Sequence, residues 1–295
     1  MSLDLTDPAI CAKFAELERL EQAARKVTVT EAEQAMHRKR MDFRHFLPGV
    51  TRDEETNLPI VLAEHQLQWI DHINFCWGHG LHCIILSFWG SGKTALMEMV
   101  PLFVYGHDTT ARIKIISSSD DLAKKRVGKI RDYVTTSENY KQLFPAVVPN
   151  EQGRGWTEHS FFLERETKAR DPSLEAVSIT AHATGGRADI IIVDDAQNEK
   201  NCIANPKDRD KVWMKYTTAF LTRLSPDGRV IFIATRWHID DLFGHIVREE
   251  KMRERYGILV QRIYPECQNI ESSFFYPKNL KPSHGRFDNL FKPFA

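Results

Sequence analysis

The run Cys83-Ile84-Ile85-Leu86-Ser87-Phe88-Trp89-Gly90-Ser91-Gly92-Lys93-Thr94 leaves the chain few folds to choose from. Its apolar half suits a strand buried on both faces, and it breaks into a glycine-bearing turn ending in Gly-Lys-Thr. That is the pattern of a phosphate-binding loop between a strand and a helix. In such a turn the backbone N–H groups of Gly90, Ser91 and Gly92 wrap phosphate oxygens. Lys93 reaches the outer phosphates, the Thr94 hydroxyl holds magnesium, and the following helix presents its positive end. The ligand expected is a nucleoside triphosphate, ATP with Mg2+. The first glycine of the motif is replaced by Ser87, and the plainer alternative is a strand-to-helix turn with a solvated Lys93. A second, acidic element is therefore required.

Ala188-Asp189-Ile190-Ile191-Ile192-Val193-Asp194-Asp195 supplies it. Four branched apolar residues before paired carboxylates suit a central parallel strand that delivers acids at its carboxyl end. Asp194 is placed to hold the hydrated magnesium, and Asp195 to orient or deprotonate the attacking water. Most enzymes of this kind use Glu at the second position; Asp retracts the carboxylate by one methylene, and Glu199 is a weaker substitute. Taken alone, the pair also fits a strand end capped by solvated acids.

At 295 residues and 42% hydrophobic content, the chain can bury one full-sized core and a small accessory subdomain. Forty basic residues balance forty acidic ones, so nucleic-acid contact has to come from a local patch. Cys11, Cys76, Cys83, Cys202 and Cys267 are scattered without Cys-x-x-Cys spacing, which suits reduced thiols and implies neither a disulfide framework nor a zinc site. No apolar run approaches the roughly 18 residues that span a bilayer, and a soluble, intracellular protein with no membrane partner is expected.

Residues 1–55 read as a helical accessory region, with Phe14, Leu17 and Leu20 at helical spacing and a basic cluster at His37 to Arg40. The core is expected over 56–265 and a tail or linker over 266–295. A helix opens at Glu64, and its Gln66 carries an amide able to read an adenine edge, or lies on the surface as an ordinary glutamine. His65, His72, His79 and His82 read as packing or surface residues. Strands are expected at Arg112 to Ser117 and Val230 to Ala234, with short segments at Ser160 to Leu163 and Ala176 to Ile179. The helix Asp120 to Tyr133, with Lys124, Lys125, Arg126, Lys129 and Arg131, is the DNA-facing candidate; the alternative is a charged solvent face balanced by Asp120, Asp121 and Asp132.

With these elements in order, the chain resembles the ATPase domain of the large terminase subunit of tailed bacteriophages, over roughly Gln66 to Pro265. The agreements are Ser117-Ser118-Ser119-Asp120 before the basic helix, Arg170-Asp171-Pro172-Ser173, Thr184-Gly185-Gly186-Arg187-Ala188-Asp189, and Ala234-Thr235-Arg236-Trp237-His238 followed by Asp240-Asp241-Leu242. The resemblance implies an α/β fold, an additional-strand P-loop NTPase with a mainly parallel central sheet flanked by helices. It also implies a motor in the host cytoplasm that docks on the procapsid as a homo-oligomeric ring, with double-stranded DNA, the portal protein and the small terminase subunit as partners. Thr235 then falls in the motif that couples hydrolysis to DNA, and Arg187 is the arginine-finger candidate, with an internal salt bridge to Asp189 or Asp171 as its alternative. Two departures stand out. Trp89 lies where terminases carry a basic residue, and the stretch after Pro265 lacks the clustered acids of a nuclease, so no nuclease activity is expected here. A single helicase-like lobe and a nucleotide-gated DNA- or portal-binding scaffold with little turnover remain open alternatives.

Overall fold

A computed structural model of the chain describes residues 13, 16, 31–53, 56–150, 156–166, 169–181, 185–264 and 269–293. Phe14, Leu17 and Leu20 of the expected N-terminal helix lie outside these residues, as do Thr184 and Pro265. Two compact units are present, Met1–Arg38 and Lys39–Ala295. Helix Glu31–Met41 has no buried residue. The boundary expected at 55 falls instead at 38, because the helix Phe43–Val50 buries Phe43, Phe46, Leu47 and Val50 in the core of the larger unit.

Among the described residues, that unit has eight strands: β1 (His82–Leu86), β2 (Ile113–Ser117), β3 (Ser160–Phe161), β4 (Leu174–Ser178), β5 (Ala188–Asp194), β6 (Leu224–Ala234), β7 (Tyr256–Tyr264) and β8 (Asn269–Phe275). They form one sheet in the order β3-β4-β2-β5-β6-β1-β7-β8. The six central strands run parallel, and only the edges β3 and β8 pair antiparallel. Every residue of β1, β2 and β5 is buried, as a parallel sheet covered on both faces requires.

The two faces follow from the alternation of side chains along a strand. Cys83 and Ile85 of β1 join Ile190, Ile192, Ile231 and Ile233 on one side, covered by Trp69, Trp77, Phe103 and Phe43 from the helices Glu64–Gly78, Lys93–His107 and Phe43–Val50. Ile84 and Leu86 join Ile191, Val193 and Phe232 on the other, under Val212, Tyr216, Leu242 and Ile246. Because β6 lies between β1 and β5, the loop strand and the acidic strand stand two strand spacings apart, roughly 10 Å. This separation makes room for a ligand between their carboxyl ends.

The stretch expected as a tail or linker differs from that description. β8 pairs with β7 from Ile258 opposite Phe275 to Tyr264 opposite Asn269. Farther on, Phe287 and Phe291 are buried against Trp77, and Phe291 meets Phe43 edge-on at 5.0 Å. The buried carboxylate of Asp288 accepts from Arg229 of β6 at 2.5 Å. Apolar burial and a buried ion pair therefore make the described part of 269–293 a component of the core.

Candidate nucleotide site

β1 ends at Leu86 and the chain turns through Ser87 to Gly92 before the helix Lys93–His107. Gly90 and Gly92 adopt φ +77° and +86°, a region that strains any residue with a Cβ, so both glycines are demanded by the turn. Ser87 is not in that region. Its N–H donates to Ala234 O at 3.1 Å and its hydroxyl to Gln261 Oε1 at 3.1 Å, which explains why serine serves where the motif has glycine. Gln261 on β7 also accepts from the Trp69 indole at 2.6 Å and donates to His65 O at 3.1 Å. This buried amide ties the loop to its neighbours, and sequence reasoning did not find it.

Lys93 is buried, and its ammonium donates to Phe88 O at 2.7 Å inside the loop. Burial lowers its pKa, while Asp195 and Asp194 pull it back up. Gln66 caps its own helix by accepting from the Ala63 N–H at 3.0 Å, and its amide donates to Ser91 O at 3.2 Å. His65 Nε2 reaches the same carbonyl at 3.0 Å. Trp89 stands at the tip, 89% exposed.

Asp194 closes β5 with its carboxylate buried. Arg126, from the helix Asp120–Thr136, donates Nε to Asp194 Oδ2 at 2.7 Å, Nη2 to Thr94 Oγ1 at 3.1 Å and Nη1 to Glu98 Oε1 at 3.3 Å. Asp194 Oδ1 is buried without a hydrogen-bond partner. An alcohol oxygen and a carboxylate with one uncommitted oxygen suit a hard divalent cation, so Thr94 and Asp194 fit the magnesium role. Burial raises the Asp195 carboxyl above the ordinary range; Lys93 opposes that rise and Asp194 reinforces it. Asp195 itself adopts φ +42°, and its Oδ1 accepts the Thr235 N–H at 2.9 Å.

No family model matches the chain. It is similar to the terminase large subunit of Enterobacteria phage T3, 27% identical over 201 residues that make up 68% of this chain and 32% of that protein. The solved large terminase of bacteriophage HK97 superposes with a TM-score of 0.50 at 16% identity, over 75% of this chain and 42% of that one. The ATPase domain of the Thermus phage P74-26 large terminase gives a TM-score of 0.43 at 15% identity, covering 63% of this chain and 74% of the other. The chain thus resembles the large terminase subunits of tailed phages. Its α/β P-loop fold, with β6 as the additional strand, is the one that the terminase resemblance implies. The chain spans about a third of the length of the curated relative it matches.

The structure brings together Lys93, Thr94, Asp194, Asp195 and Thr235, and leaves Arg187 apart. Arg187 precedes β5, whose length puts it about 23 Å from Asp194 at roughly 3.3 Å per residue. Its side chain is exposed and, among the described residues, pairs with neither Asp189 nor Asp171. Both acids are taken by Arg112, at 2.8 and 3.5 Å. Only the Arg187 N–H meets Asp171, at 3.2 Å. Glu199 is exposed on the wall of an 860 Å³ cleft that Ser118, Thr180, Lys215 and Trp237 also line.

Much of the charge of the basic helix is paired within the chain. Lys124 pairs with Asp120 at 3.3 Å and Glu158 at 3.0 Å, Lys129 lies 3.4 Å from Glu98, and the Arg131 guanidinium lies 5.8 Å from the Trp156 ring centroid. Arg126 lies against the candidate nucleotide site; nothing in its spacing separates it from its basic neighbours. His72, near Cys76 and Cys83, has both ring nitrogens engaged, by Tyr276 Oη at 2.9 Å and Ile84 O at 3.2 Å. It serves packing rather than metal binding.

Proposed function

We propose that this chain is an ATP-hydrolysing subunit of a motor that moves double-stranded DNA into a viral procapsid. The observation that carries the reading is the convergence of Lys93 and Thr94, on the β1 loop, with Asp194 and Asp195, at the end of β5. A lysine, a hydroxyl and two carboxylates in that arrangement can bind and cleave a triphosphate.

The loop N–H groups and the helix N-terminus bind phosphate oxygens, and Lys93 turns its ammonium from Phe88 O to the outer phosphates. Thr94 and Asp194 hold Mg2+, which when bound neutralises charge on the phosphate oxygens. Asp195 orients the attacking water and takes its proton; its raised pKa makes it a stronger base than an ordinary aspartate. Gln66 keeps one amide N–H for the adenine edge after bonding Ser91 O. Thr235 reports the state of Asp195 through its own N–H to the loop that follows β6.

Arg187 is exposed and far from its own Asp194, which supports a finger that serves the neighbouring subunit of a homo-oligomeric ring. Portal protein, small terminase subunit and a site of action in the host cytoplasm, at the procapsid, complete the reading, with no nuclease activity in this chain. Among the described residues no helix is long and apolar enough to cross a membrane.

Subunit mixing tests the proposal. Arg187→Ala and Asp195→Asn should each lack ATP turnover, and their mixture should regain part of it, because an intact base meets an intact finger at some boundaries. Mixtures that stay inactive while wild type turns over would contradict the trans finger; a wild type that binds no ATP would contradict the whole reading.

A further inference from the structure

The second cation of the site comes from neither the loop nor the acidic strand. Between Ser87 and Thr94 the only basic side chain is Lys93. Arg126 enters from the helix Asp120–Thr136 and is held at three points: Asp194 at the end of β5, and Thr94 and Glu98 on the helix Lys93–His107. Its side chain is 15% exposed, against 0% for Asp194 and 3% for Glu98. A planar guanidinium with forked N–H groups fits such a set, and three contacts over two elements fix its place.

One of those contacts, Thr94 Oγ1, is an oxygen assigned above to the divalent cation, and a second engages Asp194 through Oδ2, on the same carboxylate whose Oδ1 is left for the metal. A magnesium about 2.0–2.1 Å from Thr94 Oγ1 and Asp194 Oδ1 would stand within a few ångströms of a guanidinium that holds Thr94 Oγ1 and Asp194 Oδ2, so the two cations compete for the same small space and the same negative charge. Like charges that close, inside a largely buried site, also repel strongly. Arg126 and the metal are therefore alternatives. Asp194 Oδ1, buried and without a hydrogen-bond partner, gives the metal a first foothold, but full occupancy requires the guanidinium to leave.

We infer that Arg126 is a positioning residue that exchanges with the divalent cation at Asp194 and Thr94. This inference rests on the assignment of those two residues to the metal. On leaving, Arg126 needs new anionic partners, and the phosphates of a bound nucleotide supply them next to Thr94. Metal uptake is thereby tied to nucleotide: the metal alone meets a position already neutralised by arginine, whereas the metal with a triphosphate meets an arginine that has somewhere to go.

The test is titration of the full chain with Mn2+ alone, followed by its electron paramagnetic resonance signal, in wild type, Arg126→Gln, Arg126→Ala and Arg126→Lys. Both neutral variants should bind Mn2+ about tenfold more tightly or better than wild type, and Arg126→Lys should lie between. Adding Asp194→Asn to Arg126→Gln should abolish the gain, and circular dichroism identifies a variant that has not folded, leaving the others to decide. Equal Mn2+ affinity in wild type and the folded neutral variants would overturn the exchange, as would a gain that survives Asp194→Asn. Wild-type Mn2+ binding with ATP separates the two failures. If it is present and lost in Asp194→Asn, the metal assignment stands and only the exchange falls; if wild type binds no Mn2+ even with ATP, both fall.

Discussion

The backbone N–H of Thr235 donates to Oδ1 of Asp195 across 2.9 Å and joins the end of β6 to the carboxylate placed beside the phosphate loop. The link continues past Thr235. Asp241 accepts from Arg236 Nε at 2.7 Å and from the Trp237 N–H at 3.3 Å, then caps the helix Leu242–Arg248 through Gly244 at 2.9 Å. A change in charge or position at Asp195 thus has a hydrogen-bonded route out of the site, to a surface that includes the exposed Trp237 and Ile239.

Asp195→Asn should lower ATP turnover by about 10²–10⁴-fold while nucleotide binding persists. Asparagine tolerates the left-handed backbone at this position and still accepts the Thr235 N–H, so the change removes the base and little else. The sign of the pH effect follows from the raised folded pKa, caused first by burial. The folded protein keeps a proton that the unfolded chain has released, so this group costs stability as pH climbs from the ordinary carboxylate range through the folded value. Thermal unfolding against pH should show the variant gaining on wild type as pH rises from the ordinary carboxylate range, and no further change once the folded carboxyl has ionised. A constant difference at every pH would contradict the assignment.

Gly92→Ala should weaken nucleotide binding without unfolding the protein. The φ of +86° costs a Cβ about 1–2 kcal/mol, and that Cβ would lie 2.5 Å from Gln66 Nε2. Adding Gln66→Ala relieves the contact but not the backbone strain, so it should restore only part of the affinity for a fluorescent ATP analogue. Full restoration would show that the backbone conformation is not demanding.

Gln261→Ala should destabilise the protein by about 1–3 kcal/mol, because it strands the Trp69 indole N–H and the Ser87 hydroxyl in the interior. Urea unfolding followed by tryptophan fluorescence measures it. A change below about 0.5 kcal/mol would mean that water or a neighbour replaces the amide.

Phe291→Ala should cost about 3–5 kcal/mol, the range for deleting a buried phenyl ring. A true tail would show no loss on the same substitution, so equilibrium unfolding separates the two descriptions of the chain after Pro265.

Much of the sheet was legible in the sequence because β1, β2 and β5 are uninterrupted buried apolar runs, which no solvated segment resembles. β7 was not, since its apolar run stops at Val260 and its outer half, Arg262 to Tyr264, is exposed near the sheet edge. Nor was the start of β6, expected only from Val230, whereas the pairing reaches back to Leu224 opposite Ala188. The roles of Phe287 and Phe291 depend on contacts some two hundred residues away, to which local pattern is blind. In the candidate site, the convergence of Lys93, Thr94, Asp194 and Asp195 was legible because each stands at or just after the end of a buried apolar strand. Arg126 and Gln261 were not: each reaches the site by tertiary packing alone, and an arginine among lysines or a glutamine in a strand carries no local mark.

Magnesium-dependent phosphate release from ATP, compared between wild type and Lys93→Ala at equal folded concentration, tests the assignment of the nucleotide site most directly. Lys93 is held inside the loop by Phe88 O and has no second basic side chain in the loop to replace it. The expected result is measurable turnover in wild type, rising with protein concentration, and its loss in the variant by at least about a hundredfold. Turnover that survives Lys93→Ala unchanged would contradict the assignment, since no triphosphate cleaved at this loop can do without its cation.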